Sequence, residues 1–199
     1  MPEITINLND DLHYDPVTYQ YFNQLFNHRT VVFNDEIDNS IVESIYIPLR
    51  DFENDDSDEP VTLILNSEGG SVTDGFFLAH YLTTYKKKLN VIVTGYAASM
   101  ATVLLAAGGK NNNIHRICYP STFALIHDGY VGLPTGESKT VEDIMNFNHR
   151  LDLDIRQFII DNTNITAEQY DAKTRHQWYL HADEMKELNL VDEIIGCEE

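Results

Sequence analysis

The sequence predicts an α/β fold of stacked layers, built on a largely parallel sheet with one long helix standing outside it. Three observations carry this expectation. Strand-length runs with apolar centres, Val61-Thr-Leu-Ile-Leu65 and Asn90-Val-Ile-Val-Thr94, are of the kind buried on both faces of a parallel sheet. Each is followed by a turn of small residues and then a helical stretch, the order that builds right-handed strand–helix–strand layers. Beyond residue 140 the pattern changes, and Ile144, Phe147, Leu151, Ile155, Phe158 and Ile159 recur at three- and four-residue spacing.

Taken in order, residues 1–28 carry aromatic and apolar clusters (Tyr14, Tyr19, Tyr21, Phe22, Phe26) and read as an arm or a first helix. Residues 29–199 read as a single domain. Thr30–Phe33 is a short buried strand, and Asn39–Leu49 a helix with Ile41, Ile45 and Leu49 on one face. Glu53–Pro60 is an acidic surface turn. After the Val61–Leu65 strand, Asn66–Gly70 is a turn, and the next helix places Phe76, Phe77, Tyr81 and Leu82 inward. After Asn90–Thr94, Gly95–Ser99 is again a turn, and Met100–Ala107 an apolar helix closed by Gly108-Gly109. Arg116–Tyr119 and Thr122–Ile126 read as strands, and Thr140–Thr163 as the long helix, capped by Thr140 and Asp143. A helix over Ala182–Leu188 and a strand over Val191–Ile195 complete the pattern.

Composition narrows the function. Thirteen basic against 32 acidic residues leave a formal charge of −19, which argues against nucleic acid and anionic membrane, since both need clustered Lys and Arg. No apolar run is long enough to span a bilayer, and the first residues carry neither a basic nor an apolar signal region. Cys118 and Cys197 form no disulfide framework, which fits a reducing cytoplasm. Eight scattered histidines show no metal-ligand spacing, so no metal site is expected, and the serine chemistry considered below needs no cofactor.

Two turns stand at the carboxyl ends of buried strands, the edge where open α/β sheets bind ligands. In Ser67-Glu-Gly-Gly-Ser71, paired glycines allow a sharp turn and bring N–H groups close to a ligand; a plain tight turn accounts for them equally. In Gly95-Tyr-Ala-Ala-Ser-Met-Ala101, Ser99 enters an apolar helix, where unpaired N–H groups favour developing negative charge. An N-cap serine is the plain alternative. A serine hydroxyl needs a base, and His127, ending the Thr122–Ile126 strand before an Asp128-Gly129 turn, falls on the same sheet edge.

Asn66-Ser-Glu-Gly-Gly70, Gly95-Tyr-Ala-Ala-Ser-Met100, Cys118-Tyr-Pro120, Leu125-Ile-His127 and Leu190-Val-Asp-Glu-Ile194 resemble, in order and spacing, the successive signatures of the ClpP family. The resemblance runs from about Arg29 to Ile195. It implies a ClpP/crotonase-like layered fold, with the helix of about 140–163 as the family's protruding handle. It implies a serine endopeptidase that cuts unfolded polypeptides inside a barrel of two heptameric rings, fed by a hexameric Clp ATPase. The nucleophile then falls on Ser99, its base on His127, and the oxyanion-hole amides on Gly70 and Met100. A substrate strand would lie beside Gly69–Thr73, touching Gly69, Ser71 and Val72, and beside the segment after His127. The family's third triad residue, an aspartate, is matched by Gln177, which can orient the imidazole but lacks the carboxylate charge. Reduced activity, a nearby carboxylate such as Asp171, or reorganisation on binding a partner are the implied consequences. Residues 1–28 show no visible match to the family's axial arm. A non-catalytic ring scaffold, an acyl-CoA enzyme using Glu68, and a Ser–Lys peptidase using Lys110 are the competing readings.

Overall fold

A computed structural model of the protein describes residues 16–127 and 137–197. The arm before residue 16 and the Asp128-Gly129 turn lie outside the described residues. Within residues 1–28, Pro16–His28 is a helix (α1) that packs on the first strand, β1 (Thr30–Phe33), and sends Leu25 into the core. Proline suits the first helical position because its missing N–H has no helical partner there.

A parallel sheet organises the chain. Strands β1, β2 (Val61–Ser67), β3 (Leu89–Ala98), β4 (Ile114–Cys118) and β7 (Glu193–Ile194) lie side by side in that order, all parallel. β2 alternates buried and half-buried residues along its whole length. Its buried apolar set, Val61, Leu63 and Leu65, belongs to the core; burying each such side chain stabilises by roughly 1.5–3 kcal/mol. The strand over Val191–Ile195 is shorter than expected, because only Glu193 and Ile194 pair with β4.

The Gly95–Ser99 turn expected from sequence is instead strand. β3 pairs β4 through Leu89–Val93, then changes neighbour and pairs β5 (Phe123–Ile126) through Tyr96–Ala98. A register shift against β2 between Leu65 and Ser67 accommodates this continuation. The Asn66 side chain holds the irregularity, accepting from the Tyr96 N–H at 3.0 Å. β5 then pairs antiparallel with β6 (Trp178–His181).

Helix α3 (Val72–Thr83) buries Gly75, Leu78, Ala79 and Leu82. Phe77 departs from the expected inward face: it is 44% exposed and meets the Tyr46 ring edge-on at the surface. The small Gly75 and Ala79 face inward instead, which lets α3 approach α4 (Met100–Ala107) closely. All eight residues of α4 are buried, as a helix apolar all round should be.

The Asn39–Leu49 helix is two pieces. Val42–Tyr46 is a π-type stretch, in which the Ile47 N–H reaches back to the Val42 carbonyl, and α2 (Ile47–Asn54) follows it. Pro48, with no N–H to donate, sits at the junction.

The long helix, α5, spans Ser138–Asn162. Its cap position is Glu137, in extended conformation, and no side chain caps it, so Thr140 lies inside the first turn rather than at the cap. Ile155 and Ile159 are buried against the core. The outer half is not covered: Ile144 is 38%, Met145 60% and Phe147 58% exposed. α6 (Ala167–Lys173) and α7 (Ala182–Glu187) follow, both closed by capping boxes.

Buried Arg116 on β4 ties the C-terminal segment down. Its guanidinium donates to Asp192 Oδ2 and Oδ1 at 3.0 and 2.6 Å, and to the Asn189 carbonyl and side chain at 2.7 Å each. Burial works against the Asp192 carboxylate, but its bonds with Arg116 hold its pKa below the ordinary value.

Candidate active site

The site is built where β2, β3 and β5 end. Ser99 is the hinge between β3 and α4, and its backbone stands at φ +54°, ψ −122°. A non-glycine residue with positive φ is strained, by about 1–3 kcal/mol, and persists only where its surroundings fix it. Here two hydrogen bonds fix it. The Ser99 N–H donates to the Leu125 carbonyl of β5 at 2.8 Å. The buried Thr102 hydroxyl, one turn into α4, is within reach of the Ala97 carbonyl at 2.7 Å and the Leu125 carbonyl at 2.9 Å. The serine is thereby presented at the amino end of an apolar helix.

The glycine pair lies directly against this hinge. Gly69 has φ +94°, and a Cβ there would stand 2.5 Å from the Ala98 carbonyl oxygen and 2.7 Å from Ser99 Cβ. Gly70 has φ +144°, and its Cβ would meet the Ile37 carbonyl oxygen at 2.2 Å. Ile37 brackets Gly70 in a single parallel bridge: its N–H donates to the Gly69 carbonyl at 2.6 Å and its carbonyl accepts from the Ser71 N–H at 2.7 Å. That pattern turns the Gly70 N–H to the opposite side. Among the described residues neither the Gly70 nor the Met100 N–H has a hydrogen-bond partner. Glycine is required at both positions by backbone approach as well as by φ.

His127 directly follows β5 and is half-buried. It borders the same cavity, of about 200 Å³, as Ser99, Gly70, Met100 and Val72. Three chain-distant segments therefore border one space: Ser99 and Met100 at the β3–α4 hinge, His127 after β5, and Gly70 after β2. This is the arrangement of residue types that acyl transfer by a serine nucleophile requires.

A family model described as Clp protease matches residues 13–198. The chain belongs to the Clp protease family. By membership it is a ClpP-like peptidase, of the serine type that characterises the family, and its α/β fold with a parallel sheet agrees. The match takes in residues 13–28, before the stretch over which the signatures run.

Other residues singled out from the sequence of this Clp protease lie elsewhere. The β5–β6 register pairs Ile126 with Trp178, so Gln177 comes one step further along, beside His127. Its side chain, however, is exposed, accepts from the Tyr179 hydroxyl at 2.7 Å and does not border the cavity. Asp171 is further removed: both of its oxygens accept from the Arg156 guanidinium, at 2.6 and 2.8 Å, which lowers its pKa. Glu68 and Lys110 are exposed and also outside the cavity. Val72 and Thr73 are the first residues of α3, so the extended stretch beside the site ends at Ser71, whose hydroxyl caps α3 by accepting from the Asp74 N–H at 3.3 Å.

Two residues at the site escaped sequence reading. Thr102 sits in a run of apolar helix residues and carried no signal beyond its hydroxyl. Asp152 of α5 borders the cavity together with Asn148 and Leu151, on the polar flank of a helix whose apolar positions drew the attention. The buried Cys118 thiol is pushed up in pKa chiefly by burial, and neither cysteine borders the cavity. Among the described residues no cluster of His, Cys, Asp and Glu side chains is arranged to hold a metal, and no helix is long and apolar enough to cross a membrane.

Proposed function

We propose that this protein is a serine endopeptidase in which Ser99 is the nucleophile and His127 its general base. The observation that carries this reading is the shared cavity, bordered by a strained hinge serine, a histidine, and the residues Gly70 and Met100. His127 takes the Ser99 proton as the hydroxyl oxygen attacks the peptide carbonyl. The N–H groups of Gly70 and Met100 receive the oxyanion. His127 then returns the proton to the leaving amine, and water hydrolyses the acyl-enzyme by the same steps. The chemistry needs neither metal nor organic cofactor.

The substrate is an extended, unfolded polypeptide, lying as an added strand beside Gly69, Ser71 and the start of α3 at Val72. Working as the resemblance implies, two heptameric rings enclose the sites, joined through α5 as a handle, and a hexameric Clp ATPase delivers the chain in the cytoplasm. The exposed apolar outer half of α5 supports the joining role. Gln177, at the position of the family's aspartate, brings no carboxylate to stabilise an imidazolium, so turnover is reduced relative to an aspartate-bearing site. The engagement of Gln177 by Tyr179 favours a second reading, a ring scaffold with little or no catalysis.

Labelling with a fluorophosphonate probe tests the nucleophile. Wild-type protein takes up the probe and Ser99→Ala does not; equal labelling of both removes Ser99 from the mechanism. Turnover of unfolded casein by the assembled protein separates peptidase from scaffold.

A further inference from the structure

The cavity beside Ser99 has an uneven chemical lining. Most of it is apolar, with Met100, Val103, Ile126 and the α5 residues Leu151, Ile155 and Ile159. Half-buried Asp152 and Asn148, also on α5, add an acidic and an amide residue to the lining. His127 apart, Asp152 is the one ionisable residue among the described residues that border it, and no Lys or Arg does so.

At about 200 Å³ the space is smaller than the roughly 300–1,000 Å³ of a typical small-molecule site and suits a single amino-acid side chain. A peptide whose carbonyl lies against Ser99 has the side chain of the residue supplying that carbonyl as the nearest candidate to fill it. An apolar passage with an acid on its wall fits a side chain with a long methylene stem and a cationic head. Lys and Arg bury such stems while keeping the charge at a polar contact. An acid at the wall of this subsite is the general device by which serine peptidases select basic residues. The chain's −19 formal charge works in the same direction by concentrating cationic peptides.

We propose, resting on the serine-peptidase reading above, that Asp152 is a specificity-determining residue that directs cleavage to the carboxyl side of Lys and Arg. Its carboxylate receives the basic head, Asn148 contributes a neutral polar contact, and the apolar lining residues hold the stem. Glu and Asp at that substrate position are rejected by like charge.

The test uses the full-length protein in its assembled state and a set of fluorogenic peptides differing only in the residue before the scissile bond: Lys, Arg, Leu or Glu. Wild type cleaves the Lys and Arg peptides at higher kcat/KM than the Glu peptide. In Asp152→Asn the Lys-to-Leu ratio of kcat/KM falls about tenfold, and in Asp152→Lys the Lys-to-Glu order inverts. A Lys-to-Leu ratio unmoved by Asp152→Asn, with all peptides slowed alike, overturns the proposal and leaves Asp152 supporting His127 instead. A second measurement does not depend on turnover. Ser99→Ala protein is titrated calorimetrically with product peptides ending in Lys or Leu, with and without Asp152→Asn. Preference for the Lys-ended peptide that disappears in the double variant upholds the subsite even if wild type takes up no fluorophosphonate, an outcome that would sink Ser99 alone. Equal binding of both peptides overturns the subsite even if Ser99 is labelled.

Discussion

Gly69→Ala probes the link between a backbone approach and the candidate chemistry. The substituted residue would have to hold φ +94°, which costs a non-glycine residue about 1–3 kcal/mol. Its methyl would also stand 2.5 Å from the Ala98 carbonyl oxygen, 2.7 Å from Ser99 Cβ and 2.9 Å from the Met100 nitrogen. Two of these atoms are backbone, fixed by the β3–β5 pairing and the start of α4, and the third is anchored on the strained hinge, so none can yield cheaply. Overpacking of that kind adds about 1–3 kcal/mol. Alanine recovers only about 0.4–1 kcal/mol by restricting the unfolded chain. The net loss is about 3 kcal/mol, or a fall in Tm of about 6–12 °C for a chain of this length. The strain falls on the hinge that presents the Ser99 hydroxyl, and a displacement of about 1 Å there is worth roughly a hundredfold in rate. The assay pairs thermal unfolding at matched protein concentration with the rate of fluorophosphonate labelling. A variant that melts within 2 °C of wild type and labels at the wild-type rate refutes the claim that Gly69 is dictated by the hinge behind it.

Two further predictions concern what holds the site in place. Thr102→Val preserves shape but removes the hydroxyl between the Ala97 and Leu125 carbonyls; it costs about 1–3 kcal/mol in urea unfolding and slows probe labelling, whereas Thr102→Ser retains most of both. At Asp192 the pKa is depressed in the folded state, so the unfolded chain takes up its proton first as pH falls. The Arg116–Asp192 contribution is therefore complete above the ordinary aspartate value of about 3.9 and is lost as pH drops through the lower folded value. Asp192→Asn removes it at neutral pH, costing about 2–3 kcal/mol because Arg116 keeps a buried charge, and flattens the acid limb of the stability curve. An acid limb equally steep in both proteins would exclude the pair as its source.

The sheet and the hinge serine were legible because local rules dictate them. Val61–Leu65 has an apolar run that only a buried strand satisfies, and Ser99 stands where an apolar helix begins after small residues. The placement of His127 was legible because strand ends are marked by the change in pattern after Ile126. What failed depended on neighbours remote in sequence. Tyr96–Ala98 looks like a turn among small residues, yet it is strand because β5 arrives to pair with it. Hydrophobicity alone points Phe77 inward, but Gly75 and Ala79 hold the inner face because α3 must come close to α4. The start of α5 was placed at Thr140 because its side chain can cap, while the backbone turns helical two residues earlier without any cap. Asp152 escaped notice because helical periodicity assigns a residue to a flank and says nothing of what cavity that flank borders. Gln177 matches the family's aspartate position in sequence, but the sequence carries no sign that Tyr179 engages its carbonyl.

The Leu125 carbonyl accepts from the Ser99 N–H and lies within reach of the Thr102 hydroxyl, and two residues later the same strand delivers His127. One short strand is thus the common footing of the proposed nucleophile and base. If β5 slips or peels from β3, residue 99 loses the contact that keeps its backbone in the left-handed region and can relax to negative φ, carrying the hydroxyl away as the imidazole departs. On the proposed mechanism, loosening of this one strand would disable nucleophile and base together.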